Sequence, residues 1–195
     1  MKITEIEKVS GVQPFSVEQV KKILNLTNPK GELDQFTVNY VEDRGQHFVV
    51  LTDQSGQISA YAGFVQRPNN IWQARNAQSF APYTGQALVG KIYNMVNQVW
   101  RHRLMSDLRQ SEDSVKLWSK TLPGLGLKPM MMDVQTSMID KPDLNKLYPD
   151  NELEQGNYCW ILDPSNRYPD QNLVESGYTL IMPLMGIWFT GGSYN

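Results

Sequence analysis

The chain has 195 residues, and its 18 Lys and Arg against 20 Asp and Glu give a net charge of −2 at pH 7. This length is typical of one domain of ordinary size, and the lack of a basic surplus argues against nucleic-acid and membrane partners. The single cysteine, Cys159, excludes an intrachain disulfide, and with only two histidines we predict no metal site. Because no apolar leader or membrane-length apolar run is present, we expect a soluble, cytoplasmic protein.

The first helix is predicted from its N-terminal signals. Ser16 is a suitable N-cap, and Gln19, three residues later, completes a capping box. Phe15 and Val20 have the spacing of a hydrophobic staple, which fixes the entry of the chain into a helix. These signals predict a helix over residues 17–24.

Runs of apolar residues between turn signals predict a series of strands, and residues 36–41 show the alternation typical of a strand. A short strand is expected before the helix, and an antiparallel meander after it. The predicted strands cover residues 2–9, 36–41, 48–52, 58–66 and 71–80. The segment Asn28-Pro29-Lys30-Gly31 is predicted to be a turn, because Asn, Pro and Gly are typical turn residues.

The stretch after the last of these strands leads through a loop into a second helix. Pro82 interrupts the strand, and apolar residues at spacings of three and four, from Leu88 to Val99, predict a helix that ends near Trp100. A turn of small residues between a strand and a helix presents free backbone N–H groups at the positive end of the helix dipole. Such a turn suits a phosphate or pyrophosphate, so residues 83–90 are a candidate anion site.

The second half of the chain is predicted to contain a strand, a helix and two further strands. Ser111 is a suitable N-cap followed by acidic residues, and Pro123-Gly124 is predicted to stop the helix. The strands are predicted at residues 104–109, 130–135 and 158–163. The polar segment 136–156 is predicted to be a loop-like insert, and a terminal hairpin is predicted around 178–190.

The loop after Pro82 resembles a motif of the GNAT superfamily of acyl-CoA-dependent N-acyltransferases. The family pattern is Gln/Arg-x-x-Gly-x-Gly/Ala; Gly85 and Ala87 match it, whereas Thr84 stands at a usually basic position and Val89 at a usually small one. The resemblance implies that main-chain amides of this loop hold the pyrophosphate of acetyl-CoA or another acyl-CoA. The implied cofactor-binding residues are Phe80, Ala81, Thr84, Gly85, Gln86, Ala87, Leu88, Val89 and Gly90.

A second family motif, Asn-x-x-Ala-x-x-x-Tyr, has the spacing of Ser111 to Trp118. In the family the Tyr protonates the departing thiolate, and Trp118 occupies that position here, although an indole only donates a hydrogen bond. Asp107 and Ser111 are candidate proton-handling groups near the substrate cleft that the resemblance implies. The alternative for each catalytic candidate is structural: a core aromatic at Trp118, a strand-surface residue at Asp107 and a helix cap at Ser111.

The resemblance implies a mixed α/β fold with a mostly antiparallel sheet flanked by helices over residues 1–163, followed by an extension over 164–195. It also implies an N-acyltransferase that transfers an acyl group, such as acetyl, to a primary amine. The alternative is a GNAT-like protein without catalysis that acts as a structural or assembly component, for example in a bacteriophage virion. Its protein partner or second copy would bind the apolar segment 178–194.

The remaining polar candidates are predicted to have ordinary structural roles. Cys159 lies in an apolar strand and is predicted to be a buried, unreactive thiol. His47 and His102 lack carboxylates or thiols at metal-binding spacing and are predicted to be exposed or capping residues.

Overall fold

The computed structural model describes residues 14–108, 110–148 and 157–165. The strand predicted at 2–9 and the hairpin predicted at 178–190 lie outside the described residues. The boundary proposed for the C-terminal extension therefore stays a prediction.

The chain divides into two compact units. Unit 1 comprises Met1–Gln66 and Trp72–Arg101, and unit 2 comprises Arg67–Ile71 and His102–Asn195. Each unit has its own strands and helices, which are given in turn below.

In the described part of the chain, the sheet of unit 1 has five strands in the order β1-β2-β3-β4-β5. They are β1 (Asn28–Leu33), β2 (Phe36–Asp43), β3 (Gln46–Thr52), β4 (Ile58–Arg67) and β5 (Ile71–Ser79). β2 pairs antiparallel with β1 and β3, and β3 pairs antiparallel with β4. This arrangement confirms the meander and the four strands predicted after the first helix.

The turn predicted at residues 28–31 is wrong, because these residues form most of β1. β1 is an edge strand and pairs only with β2 among the described strands. A proline is compatible with such an edge, where its missing N–H removes no ladder hydrogen bond. The register shifts between Pro29 and Gly31, which makes Lys30 the extra residue of a β-bulge.

The predicted first helix is confirmed as α1 (Val17–Leu24). The Ser16 hydroxyl accepts the Gln19 N–H at 3.3 Å, and the Gln19 side chain accepts the Ser16 N–H at 2.8 Å, which completes the capping box. The staple residues Phe15 and Val20 belong to the core of unit 1. That core contains Phe15, Val20, Ile23, Phe48, Val50, Ile58 and Tyr61.

The second helix begins as α2 (Leu88–Asn94) and continues as a π-helical turn over Met95–Val99. The Trp100 N–H donates to the Met95 carbonyl at 3.0 Å, and the helix ends there as predicted. Val99, predicted on the apolar side, is instead 70% exposed. A π-helical turn has more residues than an α-helical turn and therefore shifts the helical phase that the sequence spacing assumed.

The described strands of unit 2 lie in the order β6-β9-β7-β8. They are β6 (Arg103–Met105), β7 (Met130–Asp133), β8 (Ile139–Asp140) and β9 (Tyr158–Leu162). β9 pairs antiparallel with β6 and β7, which confirms the predicted pairing of the last two strands, and β7 also pairs with β8. The segment 136–156 is not all loop, because it contributes β8 and a short helix, Leu144–Leu147.

The helical segment of unit 2 begins with α3 (Glu112–Lys116), passes through a π-helical turn (Leu117–Thr121) and ends with α4 (Leu122–Gly124). The helix ends at Gly124, as Pro123-Gly124 predicted, and Pro123 itself fits the first turn of α4. Gly126 lies just beyond the C-cap Leu125, and its φ of 80° is typical of a glycine that follows a helix C-terminus. The Leu127 N–H donates to the Leu122 carbonyl at 3.1 Å and closes this end.

These elements confirm the expected fold class, a mixed α/β fold whose strand pairings are mostly antiparallel. Among the described helices, none has the length and apolar character needed to cross a membrane.

Candidate functional site

The candidate cofactor loop of unit 1 is anchored where β5 ends. The Phe80 N–H donates to the Ser59 carbonyl at 2.9 Å, and the Phe80 ring stacks on Tyr61 at 5.9 Å. The Tyr83 N–H donates to the Phe80 carbonyl at 2.8 Å, and the Ala81–Pro82 peptide bond within this turn is cis. The start of the loop is therefore held against the core of unit 1.

The Tyr83 side chain ties the loop to the turn between β3 and β4. Its hydroxyl donates to the Asp53 carboxylate, and its ring meets Phe36 edge-on at 5.6 Å. The hydrogen bonds from Tyr83 and from Ser55 lower the pKa of Asp53 to about 2. Asp53 therefore remains a hydrogen-bond acceptor at all but strongly acidic pH and keeps this connection intact.

Beyond Tyr83 the loop is exposed and open. Thr84, Gly85 and Gln86 are exposed, and no heavy atom outside the neighbouring residues lies within 4 Å of a Cβ placed on Gly85. Gly85 has a φ of 88° and Ala87 a φ of 55°, so the backbone reverses direction through left-handed conformations immediately before α2. Gly85 is suited to this conformation because it lacks a Cβ.

The N-terminus of α2 has no side-chain cap. The first intrahelical bond runs from the Lys91 N–H to the Ala87 carbonyl at 2.9 Å, so the N–H groups of Leu88, Val89 and Gly90 belong to the first turn. Such groups are available to an anion and lie at the positive end of the helix dipole. This donor set and the open space at Gly85 fit a pyrophosphate.

A pocket of about 460 Å³ lies beside the start of the loop in unit 1. Its volume is in the range of small-molecule sites. Lys21, on α1, is the cationic residue among its lining side chains. The lining residues are Val17, Lys21, Leu24, Ser55, Gly56, Gln57, Ile58, Phe80 and Ala81.

The three catalytic candidates lie in unit 2, and each has a local structural role. The Asp107 carboxylate accepts the Leu108 N–H at 2.7 Å, and the Ser111 hydroxyl caps α3 by accepting the Ser114 N–H at 3.2 Å. Trp118 is only 1% exposed. These observations agree with the structural alternative for Ser111 and Trp118. Asp107 is not on a strand, because β6 ends at Met105 and not at residue 109 as predicted. The catalytic roles of all three stay predictions.

A buried polar network in unit 2 was not predicted from the sequence. The Ser106 hydroxyl accepts the Trp160 backbone N–H at 3.1 Å and a Gln110 side-chain N–H at 2.9 Å. The Tyr148 hydroxyl donates to the Gln110 carbonyl oxygen at 2.9 Å and accepts the indole N–H of Trp160 at 2.7 Å. Burial raises the pKa of Tyr148, so its phenol stays neutral and donating at neutral pH.

Little in the sequence indicates this network. Ser106 and Gln110 are four residues apart, but Tyr148 and Trp160 are separated from them by up to 54 residues in sequence. Tyr148 lies at the end of the segment Leu144–Leu147, within the predicted insert. A hydrogen bond between residues so distant in sequence is determined by the tertiary fold.

Cys159 is buried as predicted, and burial raises the pKa of its thiol well above the ordinary range. Such a thiol is unreactive at neutral pH. The prediction for His47 is wrong, because its side chain is only 5% exposed and stacks on Trp72 with ring centroids 4.0 Å apart. Within the described residues, no three His, Cys, Asp or Glu side chains come together as metal ligands.

No protein-family model and no curated protein sequence matches the chain. Its structural neighbours are spermidine N-acetyltransferases. A variant of SpeG from Vibrio cholerae is 6% identical, with 85% of this chain and 92% of that chain covered and a TM-score of 0.42. SpeG in complex with CoA and spermine is 7% identical, with 85% and 94% covered and a TM-score of 0.41.

At these values the similarity assigns neither a family nor an activity to the chain. The bacteriophage and virion alternative receives no support from the comparisons. The assembly role expected for residues 178–194 concerns a segment outside the described part of the chain and stays a prediction.

Proposed function

We propose that the chain is an acyl-CoA-dependent N-acyltransferase that transfers an acyl group, such as acetyl, to a primary amine. The main support is the open turn at Gly85 in unit 1, which leads directly into the uncapped N-terminus of α2. An uncapped first turn offers several convergent N–H donors to one anion. A pyrophosphate is an anion of suitable size and charge for such a turn.

In this proposal the backbone N–H groups of Leu88, Val89 and Gly90 bind the pyrophosphate of the cofactor. Gly85 leaves the approach unobstructed, and Tyr83 holds the start of the loop in place through Asp53. When bound, an acyl-CoA supplies an acyl group activated as a thioester. The protein contributes by holding that group in the geometry in which the amine can attack it. Such positioning lowers the barrier of the reaction.

The adjoining pocket is proposed to hold another part of the same cofactor. Phe80 and Ala81 line the pocket and also begin the loop, so the two features are continuous in unit 1. Lys21 adds a positive charge to the pocket. It compensates for the missing basic residue at Thr84, because a cation near the phosphates attracts them over several ångströms.

Asp107 and Ser111, both in unit 2, stay candidate proton acceptors, because they carry the acceptor oxygens among the catalytic candidates. A carboxylate is the stronger base of the two. Trp118 is proposed to have no proton-transfer role, since an indole N–H donates a hydrogen bond without acting as an acid.

Calorimetric titration of acetyl-CoA and CoA tests the cofactor site. Gly85→Glu should weaken binding at least tenfold, because a carboxylate would repel the pyrophosphate and occupy its space. Gly85→Ala is the matched control, since it introduces the same backbone strain of about 1–2 kcal/mol without charge or bulk. Absence of binding to the wild type, or equal affinity of the two variants, would refute the proposed site.

A second pair of variants tests the pocket. Lys21→Glu should weaken CoA binding about tenfold, whereas Lys22→Glu should have little effect, because Lys22 is exposed on the same helix and does not line the pocket. Equal effects of the two substitutions would show that only the net charge matters. Transfer activity itself is measured as CoA thiol release with a panel of primary amines, and binding without turnover by any amine would overturn the enzymatic part of the proposal.

A further inference from the structure

The bulge in β1 directs one lysine toward a group of aromatic residues in unit 1. Pro29 pairs with Asn39 and Gly31 pairs with Val38, so Lys30 has no partner in the ladder. A bulge of this kind changes the direction of the side chain that it carries. The Lys30 ammonium consequently reaches two aromatic rings.

The two rings form a corner around the ammonium. The Lys30 Nζ lies 4.2 Å from the centroid of the Tyr40 ring and 4.2 Å from the centroid of the Trp100 ring. The ring centroids are 5.3 Å apart, and the ring planes are nearly perpendicular at 80°. Both distances are well within the range of about 6 Å over which a cation is attracted to an aromatic face.

Buried side chains contact the two rings that form the corner. The Trp72 ring, only 3% exposed, is parallel to Tyr40 and meets Trp100 edge-on at 6.2 Å. His47 stacks on Trp72, and its Nδ1 and the Tyr40 hydroxyl form a hydrogen bond of 2.8 Å. Because the walls are already ordered, a ligand would lose little free energy in organising them.

The corner is open to solvent on the side of Lys30. Lys30 is exposed, whereas Tyr40 and Trp100 are partly exposed. Among the described residues, Lys30 forms no salt bridge, and its recorded side-chain contacts are those with the two rings. Trp100 also ends a helix, where the negative end of the dipole favours a cation.

We propose that the corner formed by Tyr40 and Trp100 is a binding site for organic ammonium ions, with Lys30 as an internal ligand that competes for it. The ligands are alkylammonium and quaternary ammonium groups, which carry the same charge as the lysine and fit the same two faces. Lys30 lowers the apparent affinity for a free ligand, because the ligand binds only the fraction of molecules in which the lysine has withdrawn. The site is independent of the proposed acyl-CoA loop.

The test compares choline with 3,3-dimethyl-1-butanol, a neutral molecule of nearly the same shape, in sodium phosphate buffer. Calorimetry with Lys30→Ala should give choline affinity at least tenfold higher than the wild type. The neutral molecule should bind at least tenfold more weakly than choline. NMR shifts of the Tyr40 and Trp100 ring protons locate the ligand.

Replacing one of the two aromatic rings provides a second test of the site. Trp100→Leu in the Lys30→Ala background should lose choline binding at least tenfold, and Tyr40→Leu serves the same purpose if the first double variant does not fold. No gain of choline affinity in Lys30→Ala, equal affinity for the neutral molecule, or unchanged binding after loss of a wall would each overturn the proposal. None of these outcomes depends on CoA binding, so failure here leaves the acyltransferase proposal untouched.

Discussion

Replacing Tyr148 with Phe removes one hydroxyl group from the buried network of unit 2. That hydroxyl donates to Gln110 at 2.9 Å and accepts the indole N–H of Trp160 at 2.7 Å. Trp160 is 2% exposed, so in the variant its indole N–H cannot bind water and has no other acceptor among the described residues. A net hydrogen bond contributes about 0.5–1.5 kcal/mol, and a stranded buried donor costs about 1–3 kcal/mol. We expect the free energy of unfolding to fall by about 2 kcal/mol.

Urea unfolding followed by both tryptophan fluorescence and circular dichroism measures this change. Tyr158→Phe is the matched control, because Tyr158 is partly exposed at the start of β9 and no hydrogen bond of its hydroxyl is recorded within the described residues. It should change the free energy by less than about 0.5 kcal/mol. If Tyr148→Phe is no more destabilising than Tyr158→Phe, the network does not stabilise unit 2 and the reasoning is wrong.

The pH dependence gives an independent check on Tyr148. Burial raises its pKa above the ordinary value of 10.0. Its contribution to stability is therefore fully present below pH 10 and is lost as the pH rises through the higher pKa of the folded state. Tyr148→Phe should remove this part of the alkaline loss of stability, and an unchanged alkaline profile would contradict the assignment.

Two further predictions concern unit 1 and helix α4. Burial lowers the pKa of His47 below 6.5, so the NMR titration of its ring should have a midpoint below that value. The free energy of unfolding should fall as the pH drops from above 6.5 through that midpoint. A midpoint at or above 6.5 would contradict the burial of His47. Gly63→Ala should lower the free energy of unfolding by about 1–3 kcal/mol, because its Cβ would lie 2.7 Å from a ring carbon of Phe48. Gly124→Ala, with no atom within 4 Å, should be neutral or stabilising by about 0.5–1 kcal/mol, and equal thermal shifts for the two variants would argue against the close packing at Gly63.

Local signals predicted much of the fold. The capping box at Ser16 and Gln19 located α1 to the residue, because each hydrogen bond joins residues three positions apart. The Ser111 cap, the alternation in β2 and the turn signals that bound β3 and β4 were predicted for the same reason. Such signals depend on a few side chains close together in sequence. They therefore predict a helix or strand without knowledge of the contacts between distant residues.

The wrong predictions have non-local causes. The Asn28-Pro29-Lys30-Gly31 segment has turn chemistry, yet pairing with β2 makes it an edge strand with a bulge. His47 is buried because Trp72, 25 positions further along the chain, covers its ring. Sequence spacing contains no information on which strand faces which ring, so neither outcome was accessible from the residues alone.

The same distinction between local and non-local effects applies to the candidate loop. The family pattern specifies side chains, whereas an anion at a helix N-terminus is bound by main-chain N–H groups, which every residue except proline possesses. Val89 therefore keeps its donor despite departing from the pattern, and Thr84, which is exposed, lacks only the charge of the usual basic residue. Charge and open space are thus the two properties on which pyrophosphate binding depends here. Lys21→Glu alters charge at the pocket, whereas Gly85→Glu adds both charge and bulk at the loop, so loss of affinity in only one pair would identify which of these two places binds the phosphates.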